Sequence, residues 1–183
     1  PRAALLPHIW LSDEEIRQGQ RLLEQLPDKA GTPPIALHPY ATHPDKAWKE
    51  AYWRQLMELF ESRGIPWIVI GRGSGMEGIP ASRNFTNRTS LRETCALLKS
   101  SSLLITGDSG PMHLAGAVGT PVLALFGPTT EEWGFFPAGP KDRVLESQLD
   151  CRPCTLHGKK HCDRNHACMQ SITPEQVMRA LDE

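Results

Sequence analysis

A polar turn followed by a short helix-like run is the segment of this chain best suited to chemistry. Asp108, Ser109 and Gly110 follow an apolar run and precede Pro111. Proline suits the first helical position because its missing N–H is no loss there. One of the three turn residues is expected to cap that helix. Free backbone N–H groups and the positive end of the helix dipole would then face an anion, so the segment predicts a phosphate-binding site.

The roles of two side chains in this segment, Asp108 and His113, are open to more than one interpretation. The carboxylate of Asp108 would repel a phosphate, so it fits better as the partner of a hydroxyl, a backbone amide or a cation. His113 falls in the first helical turn, from which it could reach the same ligand. The alternative is that Asp108 only caps the helix and that His113 is only a polar surface residue. Spacing alone leaves both interpretations open.

A second polar turn follows the next apolar run along the chain. Gly127, Pro128 and Thr129 come directly after the apolar residues 122–126. In open α/β sheets, ligands bind outside the carboxyl ends of the strands, where such turns lie. The two turns are therefore expected to form one binding site for an anionic ligand.

Four cysteines near the C-terminus form a second unusual feature, with three histidines between them. Four thiolates at this density could hold a structural zinc ion tetrahedrally. Two disulfides with three possible connectivities, or an iron–sulfur cluster, are the alternatives. The residues concerned are Cys151, Cys154, Cys162 and Cys168, with His157, His161 and His166 interleaved, whereas Cys95 stands apart and is predicted to be a packed thiol.

The elements that must position these residues alternate along the chain. Apolar runs predict strands, amphipathic periodicity predicts helices, and their alternation is typical of a parallel, doubly wound sheet. Strands are predicted at 35–37, 67–70, 103–105 and 122–126, and helices at 12–26, 49–63, 91–99 and 112–118.

Composition restricts the class of protein. The 183 residues are enough for one domain with its own core. The formal net charge of −1 provides no general basic field, so nucleic acid is not an expected partner. No apolar run approaches the roughly 20 residues that span a bilayer.

The region 105–130 resembles the signature of glycosyltransferase family 9, the ADP-heptose:lipopolysaccharide heptosyltransferases. Three further blocks, at 35–56, 65–80 and 84–110, agree with the family in order and rough spacing, although Tyr40 and Lys49 replace the usual Gly and Pro and Gly116 stands where Ala is common. The resemblance covers roughly residues 33–183. The signature residues present are Asp108, Ser109, Gly110, His113, Ala115, Ala117, Pro121, Leu125, Phe126, Gly127, Pro128 and Thr129.

The resemblance implies roles for residues that spacing does not single out. Thr42 and Lys46 would contact the donor's diphosphate, with Lys46 offsetting charge that develops on the leaving group. Glu77 would bind ribose hydroxyls or the sugar. The alternatives are a solvated surface lysine and a charged residue in a flexible loop. Lys46 and Asp108 are predicted to be catalytic, and the donor-binding set is Thr42, Lys46, Glu77, Asp108, Ser109, Gly110, His113, Gly127 and Thr129.

The same resemblance implies a fold and a division of the chain. The predicted fold is a Rossmann-like doubly wound parallel sheet, the C-terminal half of a GT-B glycosyltransferase. Residues 1–33 are predicted to be the interdomain connection and first helix. Residues 34–183 would form the nucleotide-sugar-binding domain, with a cysteine-rich segment at 151–168.

The implied activity is inverting transfer of heptose from ADP-heptose to a lipopolysaccharide core acceptor in the complete enzyme. This chain would bind the donor, and the missing N-terminal half would carry the catalytic base and meet the acceptor. No cofactor is expected in catalysis, although the four cysteines could hold a structural zinc. The complete enzyme is expected to be cytoplasmic, with peripheral association at the inner face of the bacterial inner membrane. The alternative is an accessory module that binds a nucleotide or a metal without transferase activity.

Overall fold

Five parallel strands form one sheet with helices packed on both of its faces. The computed structural model describes residues 7–28, 31–155 and 161–182. The strand order is β2-β1-β3-β4-β5, and each neighbouring pair is parallel. The strands are β1 (Ile35–His38), β2 (Trp67–Val69), β3 (Leu103–Gly107), β4 (Val122–Phe126) and β5 (Arg143–Glu146). The helices are α1 (Asp13–Leu23), α2 (Glu50–Arg63), α3 (Leu91–Lys99), α4 (Gly110–Val118), α5 (Ala167–Gln170) and α6 (Pro174–Asp182).

Local sequence signals explain where α1 and α3 begin and where α2 ends. Ser12 and Ser90 each form a capping box with a glutamate three residues later, which satisfies backbone N–H groups at the starts of α1 and α3. Gly64 ends α2 in the left-handed conformation, which a residue without Cβ adopts at little cost.

The sheet divides the core into two layers. One face packs against α2 and α6, and the other packs against α3 and α4, with α1 lying on α3. At the contact between α1 and α3, a Cβ on Gly19 would lie 2.7 Å from the Ala96 backbone, so only glycine permits this approach. β1 and β4 are buried along their whole length, as expected for strands covered on both faces.

The strand order creates a switch point between β1 and β3. The chain leaves β1 towards β2 on one side and, after β2, crosses to β3 on the other. Loops diverge at such a point and leave a crevice at the carboxyl ends of the strands. His38 ends β1 and Thr106 lies beside it on β3 in the sheet register. Residues that follow these two strands are therefore brought together.

The predicted parallel α/β sheet is confirmed, and the predicted helices lie within a few residues of their observed bounds. The sequence patterns did not predict β5, α5 or α6. β5 is an edge strand with a charged residue at each end, so it lacks the apolar run that identifies the central strands. No helix in the described part of the chain is both long and apolar enough to cross a membrane.

Candidate functional site

A lysine, a carboxylate and a threonine from three different loops meet at the carboxyl edge of the sheet. Lys46 closes the 3-10 turn Pro44–Lys46 after β1, Asp108 follows β3, and Thr129 follows β4. The Lys46 Nζ lies 2.5 Å from Asp108 Oδ2, and the Thr129 hydroxyl donates to the same oxygen at 3.1 Å. Only 15% and 11% of the Lys46 and Asp108 side chains are exposed. We call these three residues the ionic cluster.

A second group of polar side chains, without charge, lies at the switch point itself. His38 Nδ1 is hydrogen-bonded to Thr106 Oγ1 at 3.1 Å and to Ser109 Oγ at 3.2 Å. The two hydroxyls are 2.9 Å apart and hydrogen-bonded to each other. We call these three residues the neutral cluster, and it ties the end of β1 to the loop between β3 and α4.

Burial keeps His38 uncharged. Desolvation lowers its pKa from 6.5 to about 4, because the imidazolium would lose its hydration inside the protein. At neutral pH the ring therefore has one nitrogen that donates a hydrogen bond and one that accepts. His38 holds the loop by hydrogen bonds and adds no charge to the site.

The neutral cluster leaves the start of α4 without a side-chain cap. Ser109 is the N-cap residue, but its side chain makes no capping hydrogen bond and is instead engaged with His38 and Thr106. The expectation that one of residues 108–110 caps the helix is confirmed for the position, since Ser109 is the N-cap residue. No side chain makes the capping hydrogen bond, because the Ser109 hydroxyl bonds within the neutral cluster and Asp108 pairs with Lys46. α4 begins at Gly110, one residue before the predicted first position at Pro111.

A cavity of about 450 Å³ opens in front of this helix terminus. This volume lies within the range of small-molecule sites. Arg72 is its one permanently charged side chain among the described residues. The lining residues are His38, Tyr40, Ala41, Thr42, Gly71, Arg72, Thr89, Leu91, Thr94, Ser109, Gly110, Pro111 and Leu114.

The Tyr40 ring explains two glycines after β2. A Cβ on Gly73 would lie 2.2 Å from a Tyr40 ring carbon, and a Cβ on Gly71 would lie 2.5 Å from the His38 ring. Gly71 also has a φ of +120°, which side chains rarely adopt. The Tyr40 hydroxyl is hydrogen-bonded to Thr86 Oγ1 at 2.8 Å. These glycines thus make room for His38 at the end of β1 and for Tyr40 just after it, and Tyr40 lines the cavity.

The structure brings together some of the predicted donor-binding residues and leaves others apart. Thr42, Ser109 and Gly110 line the cavity, and Lys46, Asp108 and Thr129 form the ionic cluster. Gly127 precedes Thr129 by two residues and packs so closely that a Cβ there would lie 2.4 Å from Met169 Sδ.

Glu77 and His113 lie outside both groups. The Glu77 carboxylate is exposed and accepts a hydrogen bond from the Gly75 N–H at 3.2 Å. His113 is exposed on the first turn of α4 and is not among the cavity's lining residues. Their proposed roles in donor binding stay predictions.

The four cysteines share one cavity of about 330 Å³, which is also lined by Asp45 and Pro128, the chain neighbours of Lys46 and Thr129. Cys151, Cys154, Cys162 and Cys168 all line it, and the structure describes no disulfide between these four residues. Within residues 7–28, 31–155 and 161–182, no three His, Cys, Asp or Glu side chains stand in a grouping that could hold a metal ion. His157 lies outside the described residues. Burial raises the pKa of the Cys168 thiol, which favours its protonated form without a bound cation.

Three residues with a place in this architecture are missing from the predicted set: His38, Arg72 and Arg152. His38 and Arg72 could have been found, because each lies at or just after the end of a predicted strand. Arg152 has no such signal, since its partners are backbone carbonyls and a glutamate reached through folding. Cys95 is buried on α3, as predicted for a packed thiol.

Comparisons with known proteins agree on a family. The family model "Glycosyltransferase family 9 (heptosyltransferase)" matches residues 7–163. Lipopolysaccharide heptosyltransferase 1 of Pseudomonas aeruginosa is 35% identical over 153 residues, which are 76% of this chain and 40% of that protein.

Two solved structures extend the comparison to the fold. The Escherichia coli ADP-heptose lps heptosyltransferase II has a TM-score of 0.72 at 23% identity and covers 100% of this chain and 54% of its own. The iron-containing dodecameric glycosyltransferase TibC from enterotoxigenic E. coli H10407 has a TM-score of 0.67 at 23% identity, covering 86% of this chain and 46% of its own. The chain thus spans about half the length of the proteins it matches.

Proposed function

Because the chain belongs to glycosyltransferase family 9, we propose that it is the donor-binding half of an inverting heptosyltransferase. The donor is ADP-heptose, and the acceptor of the complete enzyme is the lipopolysaccharide core. The observation that carries the proposal is the ionic cluster, which stands beside an uncapped helix N-terminus at the switch point of the sheet. The accessory module without transferase activity is not favoured, because the matched relatives are named heptosyltransferases.

The cavity suits the nucleoside of such a donor. Tyr40, Pro111, Leu91 and Leu114 supply flat or apolar surface for a base, while threonines at its edge supply hydroxyls. Two lining residues are close in the chain to the ionic cluster: Thr42 precedes Lys46 by four residues, and Gly110 follows Asp108 by two. The diphosphate would therefore extend from the cavity towards Lys46.

Lys46 supplies only part of the positive potential that would attract an anion to the site. Asp108 already balances the Lys46 ammonium, so the pair as a whole is neutral. The further positive potential comes from the N-terminal N–H groups of α4 and from Arg72 at the cavity. Asp108 acts mainly by holding Lys46 in place, since its own charge would repel a phosphate.

The chemistry divides between the two halves of the complete enzyme. When the bond from sugar to diphosphate breaks, negative charge grows on the leaving ADP, and a preorganised ammonium and helix terminus stabilise it. The attacking hydroxyl must lose a proton to a general base. In the family that base belongs to the N-terminal half, so this chain alone would bind donor without transferring sugar. Heptosyl transfer by these 183 residues alone would overturn this division.

Calorimetry with ADP and UDP tests the donor. We expect ADP to bind more tightly than UDP, and Lys46→Ala and Asp108→Ala each to weaken ADP binding by about 1–3 kcal/mol. Lys46→Ala removes a charged hydrogen-bonding group, and Asp108→Ala removes the carboxylate that holds Lys46 in place. Lys141→Gln is the control, because this exposed lysine precedes β5 at the opposite edge of the sheet. Tighter UDP binding, or unchanged ADP affinity in both variants, would contradict the proposal.

The cysteines support a separate proposal, a structural metal ion held by four thiolates. Its support is that all four thiols line one cavity, and that the fold neighbour TibC is iron-containing. Because the described side chains form no group that could hold a metal ion, the four thiols must come closer together to bind one. Zinc is the ion that we expect, with tetrahedral thiolate coordination. Metal analysis of the purified protein checks this: one zinc per chain supports the proposal, iron corrects the ion, and a metal-free protein with four titratable thiols rejects the site.

We further place the enzyme in the cytoplasm, bound peripherally at the inner face of the inner membrane. The support is the acceptor in the relatives' names, which is a membrane lipid. Fractionation of cells that express the whole protein tests this: salt should release it from the membrane fraction. Recovery in the periplasm would overturn the assignment.

A further inference from the structure

One buried arginine, Arg152, hydrogen-bonds to the backbone of the loop that carries Gly127 and Thr129. The Arg152 guanidinium donates to the carbonyls of Gly127 and Ser147, and to the carbonyl of Thr129 at 2.9 Å. It also pairs with the Glu146 carboxylate at 2.7 Å, and only 4% of its side chain is exposed. Because the five guanidinium N–H donors point in fixed directions, these contacts set the position of the loop.

The loop that carries Lys46 is held by the same part of the chain. His166 Nε2 lies 2.7 Å from the carboxylate of Asp45, the residue directly before Lys46. On the other side of Lys46, the Trp48 indole donates to the Ile172 carbonyl at 2.8 Å. Residues 166–172 thus fix the backbone on both sides of the lysine.

The two contacts converge on the ionic cluster. Arg152 fixes the backbone of Thr129, and the Thr129 hydroxyl donates to Asp108, which in turn pairs with Lys46. His166 fixes the other end of this series through Asp45. Because Gly127 packs closely on Met169, the loop that carries Gly127 and Thr129 has no room to move towards α5.

We infer that Arg152 is a positioning residue for the donor's diphosphate, with His166 as its counterpart on the Lys46 loop. The inference rests on the proposed function and deepens it. Through Arg152 and His166, the chain after β5 sets the distance between Lys46 and Thr129, and so the affinity for the phosphates.

A second buried arginine provides a matched control. Arg83 has 5% of its side chain exposed, donates to the Trp67 carbonyl at 3.1 Å and pairs with Asp28 at 2.6 Å. It has the same kind of contacts as Arg152, but it serves β2, away from the ionic cluster. Arg83→Gln and Arg152→Gln should both lower the melting temperature, so a difference between them in ligand binding isolates positioning from general stability.

The experiment measures the dissociation constants of ADP and adenosine for the whole protein that carries this chain. We expect Arg152→Gln to weaken ADP binding at least tenfold and adenosine binding less than twofold, because adenosine lacks the phosphates. Arg152→Lys should not restore ADP binding, since an ammonium cannot reproduce the fork of contacts. Arg83→Gln should leave both constants within twofold of the wild type.

A second pair of variants covers the case in which Arg152→Gln does not fold. His166 has a φ of +54°, a conformation that asparagine tolerates, so His166→Asn removes the contact with Asp45 while keeping the backbone. His161→Asn is its control, because that histidine is 90% exposed in the same segment. We expect a three- to tenfold loss of ADP affinity for His166→Asn and no change for His161→Asn.

The outcomes separate this inference from the proposed function. If the wild type binds ADP but Arg152→Gln and His166→Asn bind it as tightly, the positioning role is wrong and the donor site stands. Equal weakening of ADP and adenosine, or weakened ADP binding in Arg83→Gln, also overturns it. If the wild type binds no ADP, the proposed function fails, and the inference fails with it.

Discussion

The ionic and neutral clusters stand side by side at the same edge of the sheet and work by different physics. Lys46 and Asp108 are two charges, largely withdrawn from water and held 2.5 Å apart. His38 and Thr106 are buried and Ser109 is half-buried, and the three meet through hydrogen bonds between uncharged groups. The difference teaches that the fold places charge where the phosphates are proposed to bind and uses only uncharged groups at the switch point between β1 and β3.

The largest expected effect comes from leaving one charge of the ionic cluster unpaired. Asp108→Ala should lower the free energy of unfolding by about 3 kcal/mol, because the buried ammonium loses its counter-ion. Adding Lys46→Met should recover part of that loss, since the double variant has no uncompensated charge. Urea denaturation of the single and double variants measures both changes.

An exposed ion pair is the control for that measurement. Arg63 and Asp182 are 48% and 67% exposed, so Asp182→Ala should change the free energy of unfolding by no more than about 1 kcal/mol. Equal losses in Asp108→Ala and Asp182→Ala would remove the distinction between the buried and the exposed pair.

The next effect belongs to the neutral cluster and depends on pH. The pKa of His38 is about 4 in the folded protein and 6.5 without burial, so between these values the unfolded chain binds a proton that the folded one does not. The stabilisation is fully present above the unfolded pKa and is lost as the pH falls towards 4. From pH 7 to pH 5, the free energy of unfolding should therefore fall by about 2 kcal/mol because of His38.

Urea denaturation at pH 7 and pH 5 checks this for the wild type and for His38→Asn. Asparagine can replace the Nδ1 hydrogen bond but does not titrate, so the variant should lose about 2 kcal/mol less than the wild type over this range. The same pH dependence in both proteins would show that His38 is not the group responsible.

The smallest expected effect concerns Arg72, the charged residue at the cavity that lies outside the ionic cluster. Arg72→Gln should weaken ADP binding by about 1 kcal/mol at low salt, and added salt should reduce the difference because Arg72 is exposed. Titration of ADP at two salt concentrations measures it. A loss that does not respond to salt would indicate a direct, buried contact instead of a long-range one.

The sequence predicted the scaffold of both clusters because short-range signals determine it. The capping boxes at Ser12 and Ser90 and the apolar runs of β1, β3 and β4 identify elements from neighbouring residues alone. Asp108 and Thr129 entered the predicted site through the polar turns that follow two strands, and Lys46 entered it through the family resemblance. The structure places all three in contact.

Contacts between distant residues were beyond such reasoning. No local pattern states that the Ser109 hydroxyl bonds to His38 rather than capping its own helix, because the choice depends on β1 and β3 being neighbours. Arg152 is a similar case, since its partners become close only after β4 and β5 have paired. β5 itself escaped prediction because an edge strand need not be apolar.

The contact between Tyr40 and Gly73 has a consequence for how this site can change by mutation. A side chain at position 73 would overlap the tyrosine ring, so Gly73 can be replaced only after Tyr40 has become smaller. The reverse order has no such barrier, because losing the ring only opens space. The order of the two substitutions therefore matters. A protein with a small residue at position 40 and a side chain at position 73 can be reached from this one only if Tyr40 is replaced first.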